Sequence, residues 1–135
     1  MLKDIRINKS YYFTADGRVK VDIEVINNGT SAKKIAFWQH HRPDFTAGKA
    51  VTFTSAGKTL TVDSRSPANN YLSGGGKVLE CGNFLTLRWN TTPEKYYFWN
   101  SPAQPVSCEM FFPAVEIAAG KAWRLTTGFE KRKAR

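Results

Sequence analysis

The chain has 135 residues, a length that suits one domain with its own core. Hydrophobic residues make up 41% and aromatic residues 13% of the sequence, which excludes an intrinsically disordered protein. No apolar run approaches the ~18 residues of a membrane-spanning helix, and residues 1–6 (MLKDIR) lack the apolar stretch of a signal peptide. We therefore expect a cytoplasmic protein, or one from which a leader has been removed.

The charge is strongly positive. Twenty basic and eleven acidic side chains give a net charge of +9, which attracts polyanions of any kind but does not bear on the fold. Part of this charge lies in residues 130–135 (EKRKAR), predicted to be a solvated basic tail after a single domain over residues 1–129. Without an export signal, Cys81 and Cys108 are predicted to be buried free thiols rather than a disulfide.

The first third of the chain carries the clearest strand pattern. Residues 5–13 are rich in strand-forming side chains, and Asp16-Gly17 is a strong hairpin turn. Four aliphatic residues then alternate with charged ones: Val19, Val21, Ile23 and Val25. This period of two predicts a half-buried antiparallel strand. After a turn at residues 27–31 (NNGTS), the next strand is predicted over residues 35–38 (IAFW).

The middle of the chain combines a hairpin with a long loop. Residues 51–54 (VTFT) and 58–62 (KTLTV) are predicted strands on either side of a turn. From residue 63 to residue 77, the content of Ser, Pro, Asn and Gly predicts a surface loop.

The last third is again rich in strands. They are predicted over residues 85–89 (LTLRW), 96–99 (YYFW), 106–112 (VSCEMFF), 115–117 (VEI) and 123–130 (WRLTTGFE). With about nine or ten short strands and no helical period, the sequence predicts an all-β antiparallel sandwich or open barrel.

Reactive side chains concentrate in residues 36–45 (AFWQHHRPDF). This stretch holds both histidines of the chain, His40 and His41, together with Trp38, Arg42 and Asp44. Adjacent residues of a strand point to opposite faces, so the two histidines do not form a metal site together. We predict neither a metal nor any other cofactor.

Two segments resemble the aldose 1-epimerase, or galactose mutarotase-like, family. Residues 21–45 (VDIEVINNGTSAKKIAFWQHHRPDF) resemble a family segment in which an alternating strand ending in Asn leads to a strand that ends in a histidine followed shortly by a phenylalanine. Residues 106–129 (VSCEMFFPAVEIAAGKAWRLTTGF) resemble the family's C-terminus, a strand with a glutamate followed by a closing hairpin. The resemblance is to the C-terminal half of these proteins and implies a mutarotase-like β-sandwich in shortened form.

The resemblance also implies catalytic roles. Mutarotation requires an acid for the ring oxygen and a base for the anomeric hydroxyl. Carried over by position, His41, or its neighbour His40, would be the acid and Glu109 the base. From the residues alone, Glu109 interrupts an apolar strand, where a carboxylate either faces solvent or serves a purpose. The histidines could equally pack against Trp38 or lie at a loop edge.

Aromatic residues supply a second set of candidates. Strand alternation places Tyr97 and Trp99 on the face opposite Tyr96 and Phe98, so one pair is at least partly exposed. Exposed Trp and Tyr rings stack on the apolar face of sugars. Four residues are therefore candidate sugar-binding residues: Trp38, Arg42, Tyr97 and Trp99. The same rings beside cations would suit single-stranded nucleic acid, although no RNA-binding motif is present.

Two functions remain as hypotheses. The first is a carbohydrate-recognising, mutarotase-like domain, either an aldose epimerase or a portion of one, whose partner is a small sugar or a glycan. It predicts that the acid and the base open into one concave pocket lined by Trp38 and Trp99. The second is a non-enzymatic, immunoglobulin-like module that binds a partner protein or a polyanion. A second copy of the chain, forming a homodimer, is a further candidate partner.

Overall fold

The computed structural model describes residues 3–42, 49–63 and 70–132, and in these ranges the chain forms β-strands and no α-helix. The strands are β1 (Ile5–Phe13), β2 (Val19–Asn27), β3 (Lys33–Ile35), β4 (Trp38–His41), β5 (Val51–Ser55), β6 (Lys58–Val62), β7 (Tyr71–Ser73), β8 (Val78–Cys81), β9 (Leu85–Trp89), β10 (Lys95–Ser101), β11 (Gln104–Phe111), β12 (Val115–Ile117) and β13 (Ala122–Lys131). The described ranges accordingly hold no helix that could cross a membrane.

The strands form two large sheets and one small one. A seven-stranded sheet has the order β1-β2-β13-β9-β8-β5-β6, and a four-stranded sheet has the order β4-β11-β10-β7. A two-stranded sheet joins β12 to β3. Every pairing is antiparallel. The predicted all-β antiparallel sandwich is confirmed.

The core lies between the two large sheets, where the predicted alternation holds. On β2, Val21, Ile23 and Val25 are buried, and their charged neighbours point to the other face. On β10, Tyr96 and Phe98 are completely buried, and the ring of Phe98 stacks on Phe53 of the opposite sheet at 3.9 Å. Apolar burial of this kind is the main contribution to the stability of such a fold.

The two cysteines lie in the core, one on each of the two facing sheets. Cys81 on β8 and Cys108 on β11 are both buried and free, as predicted. A hydrogen bond to Cys81, together with burial, raises the pKa of the Cys108 thiol well above its usual value. The Cys108 thiol is therefore a neutral component of the core at physiological pH.

Three strand boundaries differ from the prediction. The run over residues 35–38 is split, because β3 pairs with β12 whereas β4 belongs to the four-stranded sheet. Two strands, β7 and β8, lie in or just after the predicted loop, and β8 buries Leu79 completely between β5 and β9. The last strand continues to Lys131, so the first residues of the predicted tail belong to the sheet, while residues 133–135 lie outside the described ranges.

The inner face of strand β1 is largely exposed. Ile7, Tyr11 and Phe13 stand on the same face as the buried residues of β2 but are 53%, 58% and 83% exposed. Within the described ranges, β1 pairs only with β2, so its other edge is open.

A buried asparagine closes the end of β2. The side-chain amide of Asn27 donates to the carbonyls of Ser31 at 2.8 Å and Ile117 at 2.9 Å. Its side-chain oxygen accepts from the backbone N–H of Gly29 at 3.0 Å. One side chain thus holds the turn after β2 against the end of β12.

We expect Asn27→Ala to lower the free energy of unfolding by about 2–3 kcal/mol, because it leaves the buried Ile117 carbonyl without its donor. Urea unfolding measures this change. The matched control is Asn28→Ala, since Asn28 is the exposed neighbour and its replacement should cost about 0.5 kcal/mol or less. Equal losses for both variants would contradict the role given to Asn27.

Candidate functional site on the four-stranded sheet

Strand β4 divides its side chains between the core and the outer surface. Gln39 is buried, and its side-chain oxygen accepts hydrogen bonds from the Trp89 indole at 3.0 Å and the Thr127 hydroxyl at 3.1 Å. Since strand side chains alternate, His41 shares the inner side with Gln39, whereas Trp38 and His40 face outward. The exposure of Trp38, at 51%, agrees with this arrangement.

His41 is part of the interior. Its ring meets Phe129 edge-on, with 5.1 Å between centroids. Its Nε2 atom is buried and has no hydrogen-bond partner among the described residues. Burial, with smaller electrostatic effects from Lys9 and His40, lowers the pKa of His41 from 6.5 to about 4. His41 is therefore neutral at pH 7 and lies on the face opposite Glu109, so these two predicted residues do not share a site.

His40 and Glu109 do share a face. They are directly opposite each other on β4 and β11, in the register that also aligns Tyr97 with Glu109 and Tyr71 with Tyr97. Side chains directly opposite in an antiparallel pair have Cβ atoms roughly 4.5–5.5 Å apart. The result is one row of outward side chains across all four strands of this sheet: Tyr71, Tyr97, Glu109 and His40.

Trp38 contacts both members of the central pair. Its indole N–H donates to Oε2 of Glu109 at 3.2 Å. Its ring lies nearly parallel to that of His40, with 5.9 Å between centroids and 12° between planes. Trp38 therefore lies beside both the carboxylate and the imidazole on the outer side of the sheet.

Further aromatic side chains extend this surface. Phe111 lies opposite Trp38 in the neighbouring row, and Lys95 lies opposite Phe111. The ammonium of Lys95 is 4.8 Å from the ring centre of Phe111 and 5.4 Å from that of Tyr71. We name this surface the aromatic face, defined by the outward residues Trp38, His40, Tyr71, Lys95, Tyr97, Trp99, Glu109 and Phe111.

Most of the predicted site residues come together on the aromatic face. Trp38, His40, Tyr97, Trp99 and Glu109 belong to it, and Trp99 remains 37% exposed. Arg42 is exposed and follows directly after β4, whereas the nearby residues 43–48, which include Asp44, lie outside the described ranges.

Three residues of the aromatic face escaped the sequence prediction. Phe111 and Lys95 could have been found, because each is two positions from a predicted site residue on the same strand, namely Glu109 and Tyr97. Tyr71 could not, because it stands in a strand of three residues inside a stretch with the composition of a loop.

The aromatic face is an open surface, with Trp38 and Tyr71 about half exposed, rather than the predicted concave pocket. Two cavities, of about 320 Å³ and 1310 Å³, border β13 in the other large sheet, and neither is lined by a residue of the aromatic face. The described ranges also contain no cluster of three or more His, Cys, Asp or Glu side chains that could hold a metal ion. The site therefore consists of a histidine and a glutamate beside several aromatic rings.

The sequence matches no protein-family model and no curated protein. The fold does match solved structures. The Slr1438 protein from Synechocystis sp. PCC 6803 has a TM-score of 0.68 and 9% identity, with 96% of this chain and 55% of that chain covered. A candidate aldose 1-epimerase from Escherichia coli K12 has a TM-score of 0.68 and 14% identity, with 96% of this chain and 61% of that chain covered.

These matches bear out the predicted resemblance at the level of the fold. The structure is a β-sandwich like that of the Escherichia coli protein, and this chain spans less than two thirds of the length of either neighbour. At these identities the likeness concerns the fold alone.

The position of His41 predicts a pH-dependent stability. Its pKa in the folded chain is below the ordinary value of 6.5, so the unfolded chain binds more protons between pH 6.5 and pH 4. The contribution of His41 to the free energy of unfolding is therefore complete above pH 6.5. It falls by roughly 3 kcal/mol as the pH falls toward 4. Urea unfolding at pH 7, 6, 5 and 4 measures it.

We expect His41→Gln to flatten the pH dependence in this window, because glutamine does not titrate. His40→Gln is the matched control, since His40 is exposed and its replacement should leave the slope nearly as in the wild type. Parallel curves for the wild type and His41→Gln would contradict the buried, neutral state of His41.

Proposed function

We propose that this protein binds a reducing sugar on the aromatic face and interconverts its anomers, with His40 as the acid and Glu109 as the base. The observation that carries the proposal is the direct opposition of His40 and Glu109 on one open sheet surface, with Trp38 in contact with both. The likeness in fold to a candidate aldose 1-epimerase supports the same class of reaction.

The reaction needs these two groups close together. In mutarotation the ring oxygen O5 accepts a proton and the hydroxyl oxygen O1 loses one, and both oxygens are bonded to the same carbon, C1. An acid and a base that serve neighbouring oxygens must therefore project from neighbouring positions. His40 and Glu109 meet this requirement, whereas His41 lies on the other side of the sheet from Glu109.

The proposed steps return both side chains to their starting state. Protonated His40 gives its proton to O5 as the carboxylate of Glu109 takes the proton from O1, and the C1–O5 bond breaks to give the open-chain aldehyde. Rotation about the C1–C2 bond then presents the opposite face of the carbonyl. Ring closure reverses the proton transfers, so His40 regains its proton from the O5 hydroxyl and Glu109 returns its proton to O1. Each such transfer contributes typically 10²–10⁴-fold.

The rings of the aromatic face supply the binding. A pyranose presents an apolar C–H surface that stacks on Trp and Tyr, and the contact favours a defined orientation of C1. Trp38 beside the acid–base pair and Tyr97 on the adjacent strand suit this task. Both belong to sheet strands, which makes their positions rigid.

The polyanion-binding alternative receives less support. Cations on the outer surface of the seven-stranded sheet lie beside carboxylates, as shown by Arg124 with Glu24 at 2.7 Å and Lys20 with Asp22 at 3.1 Å. Such pairing removes much of the positive potential that a phosphate backbone would need.

We expect the protein to accelerate the mutarotation of freshly dissolved α-glucose or α-galactose in a dilute, weakly catalytic buffer. Glu109→Gln and His40→Gln should each reduce the enzymatic rate by roughly 10²–10⁴-fold, because each removes one proton transfer. Polarimetry follows the rate.

His41→Gln serves as the matched control and should keep the wild-type rate, since His41 faces the core. The enzymatic proposal fails if the wild type gives no rate above buffer, or if Glu109→Gln is as fast as the wild type.

A further inference from the structure

Building on the proposed function, we infer that the aromatic face takes a reducing oligosaccharide rather than a single sugar. The reducing-end residue lies at His40 and Glu109, and the next residue of the chain stacks on Tyr97 and Tyr71. The row of side chains across the four strands carries this inference.

The row is longer than the reaction requires. Anomer exchange uses one ring at His40 and Glu109, on the first two strands of the sheet order β4-β11-β10-β7. Tyr71 stands two strands beyond Glu109, which is about 10 Å at the usual spacing of ~4.8 Å between strands. A single pyranose in contact with the acid–base pair cannot also cover Tyr71.

The distal end of the row is arranged for contact with a ligand. The rings of Tyr71 and Tyr97 are 4.8 Å apart between centroids, and Tyr71 is 46% exposed. The ammonium of Lys95, 5.4 Å from the ring centre of Tyr71, is placed to donate to sugar hydroxyls. Because the rings already contact each other, little side-chain entropy is lost when a sugar stacks on them.

The geometry of the sheet also sets the direction of the bound oligosaccharide. Among the described strands, β4, which carries His40, is the edge of its sheet, whereas β10 and β7 continue the surface on the other side of Glu109. A sugar chain with its reducing end at His40 therefore extends toward β7. Neither of the two cavities borders this path, which runs over an open surface.

Affinity as a function of chain length tests the inference. Isothermal titration is performed with glucose, maltose and maltotriose, and with cellobiose and cellotriose to cover both 1,4-linkages. We expect the affinity to rise about tenfold from glucose to the disaccharide or trisaccharide of one series, which is the effect of one added aromatic contact. Tyr71→Ala should remove this increase, because it removes a ring on which the second sugar stacks.

Tyr12→Ala is the matched control. Tyr12 is 48% exposed with Lys20 at 5.6 Å from its ring centre, closely similar to Tyr71 with Lys95, but it belongs to the other large sheet. The Tyr12→Ala variant should show the same rise in affinity with oligosaccharide length as the wild type.

The outcomes separate the two proposals. Equal affinities at all lengths in both series overturn the oligosaccharide inference and leave monosaccharide epimerisation standing. An increase with length that survives in Tyr71→Ala overturns the placement of the second sugar. No binding of any of these sugars, together with no mutarotation, overturns the proposed function itself.

Discussion

The site depends on a pair of hydrogen bonds inside the core. The buried oxygen of Gln39 accepts from Trp89 and Thr127, which belong to the opposite sheet, and so sets the register of β4 against the sandwich. Side chains on a strand alternate with a period of two, so fixing Gln39 inward also fixes Trp38 and His40 outward. A polar contact in the interior thereby determines which side chains of β4 face the outer surface.

Much of the fold could be predicted because the long strands alternate cleanly. The aliphatic residues of β2 and the aromatic pairs of β10 follow the period of two, and the turns on either side of β2 carry Gly or Asn. The failures have physical causes. The apolar run Ile35 to Trp38 contains no polar residue to mark the crossing from one sheet to another, and β7 is too short to show a period.

The candidate site was predictable in composition but not in the choice between adjacent histidines. Sequence alone places His40 and His41 one on each face of a strand, and only the contacts of Gln39 and Phe129 decide which histidine is inside. Tyr71 illustrates a second limit, because its place beside Tyr97 follows from a pairing between residues far apart in the sequence. Long-range register of this kind is not encoded in local periodicity.

The exposed edge of strand β1 suggests that the positive charge of the protein helps to prevent aggregation. An open edge beside exposed Ile7, Tyr11 and Phe13 would template pairing with any extended chain, and in concentrated solution it would favour aggregation. Arg6 and Lys9 lie on this strand, and the molecule as a whole carries +9, so two copies repel each other as their edges approach. Part of the basic composition thus protects the protein from aggregation. Solubility should fall in high salt, which screens the positive charge, and in alkaline solution, which removes it.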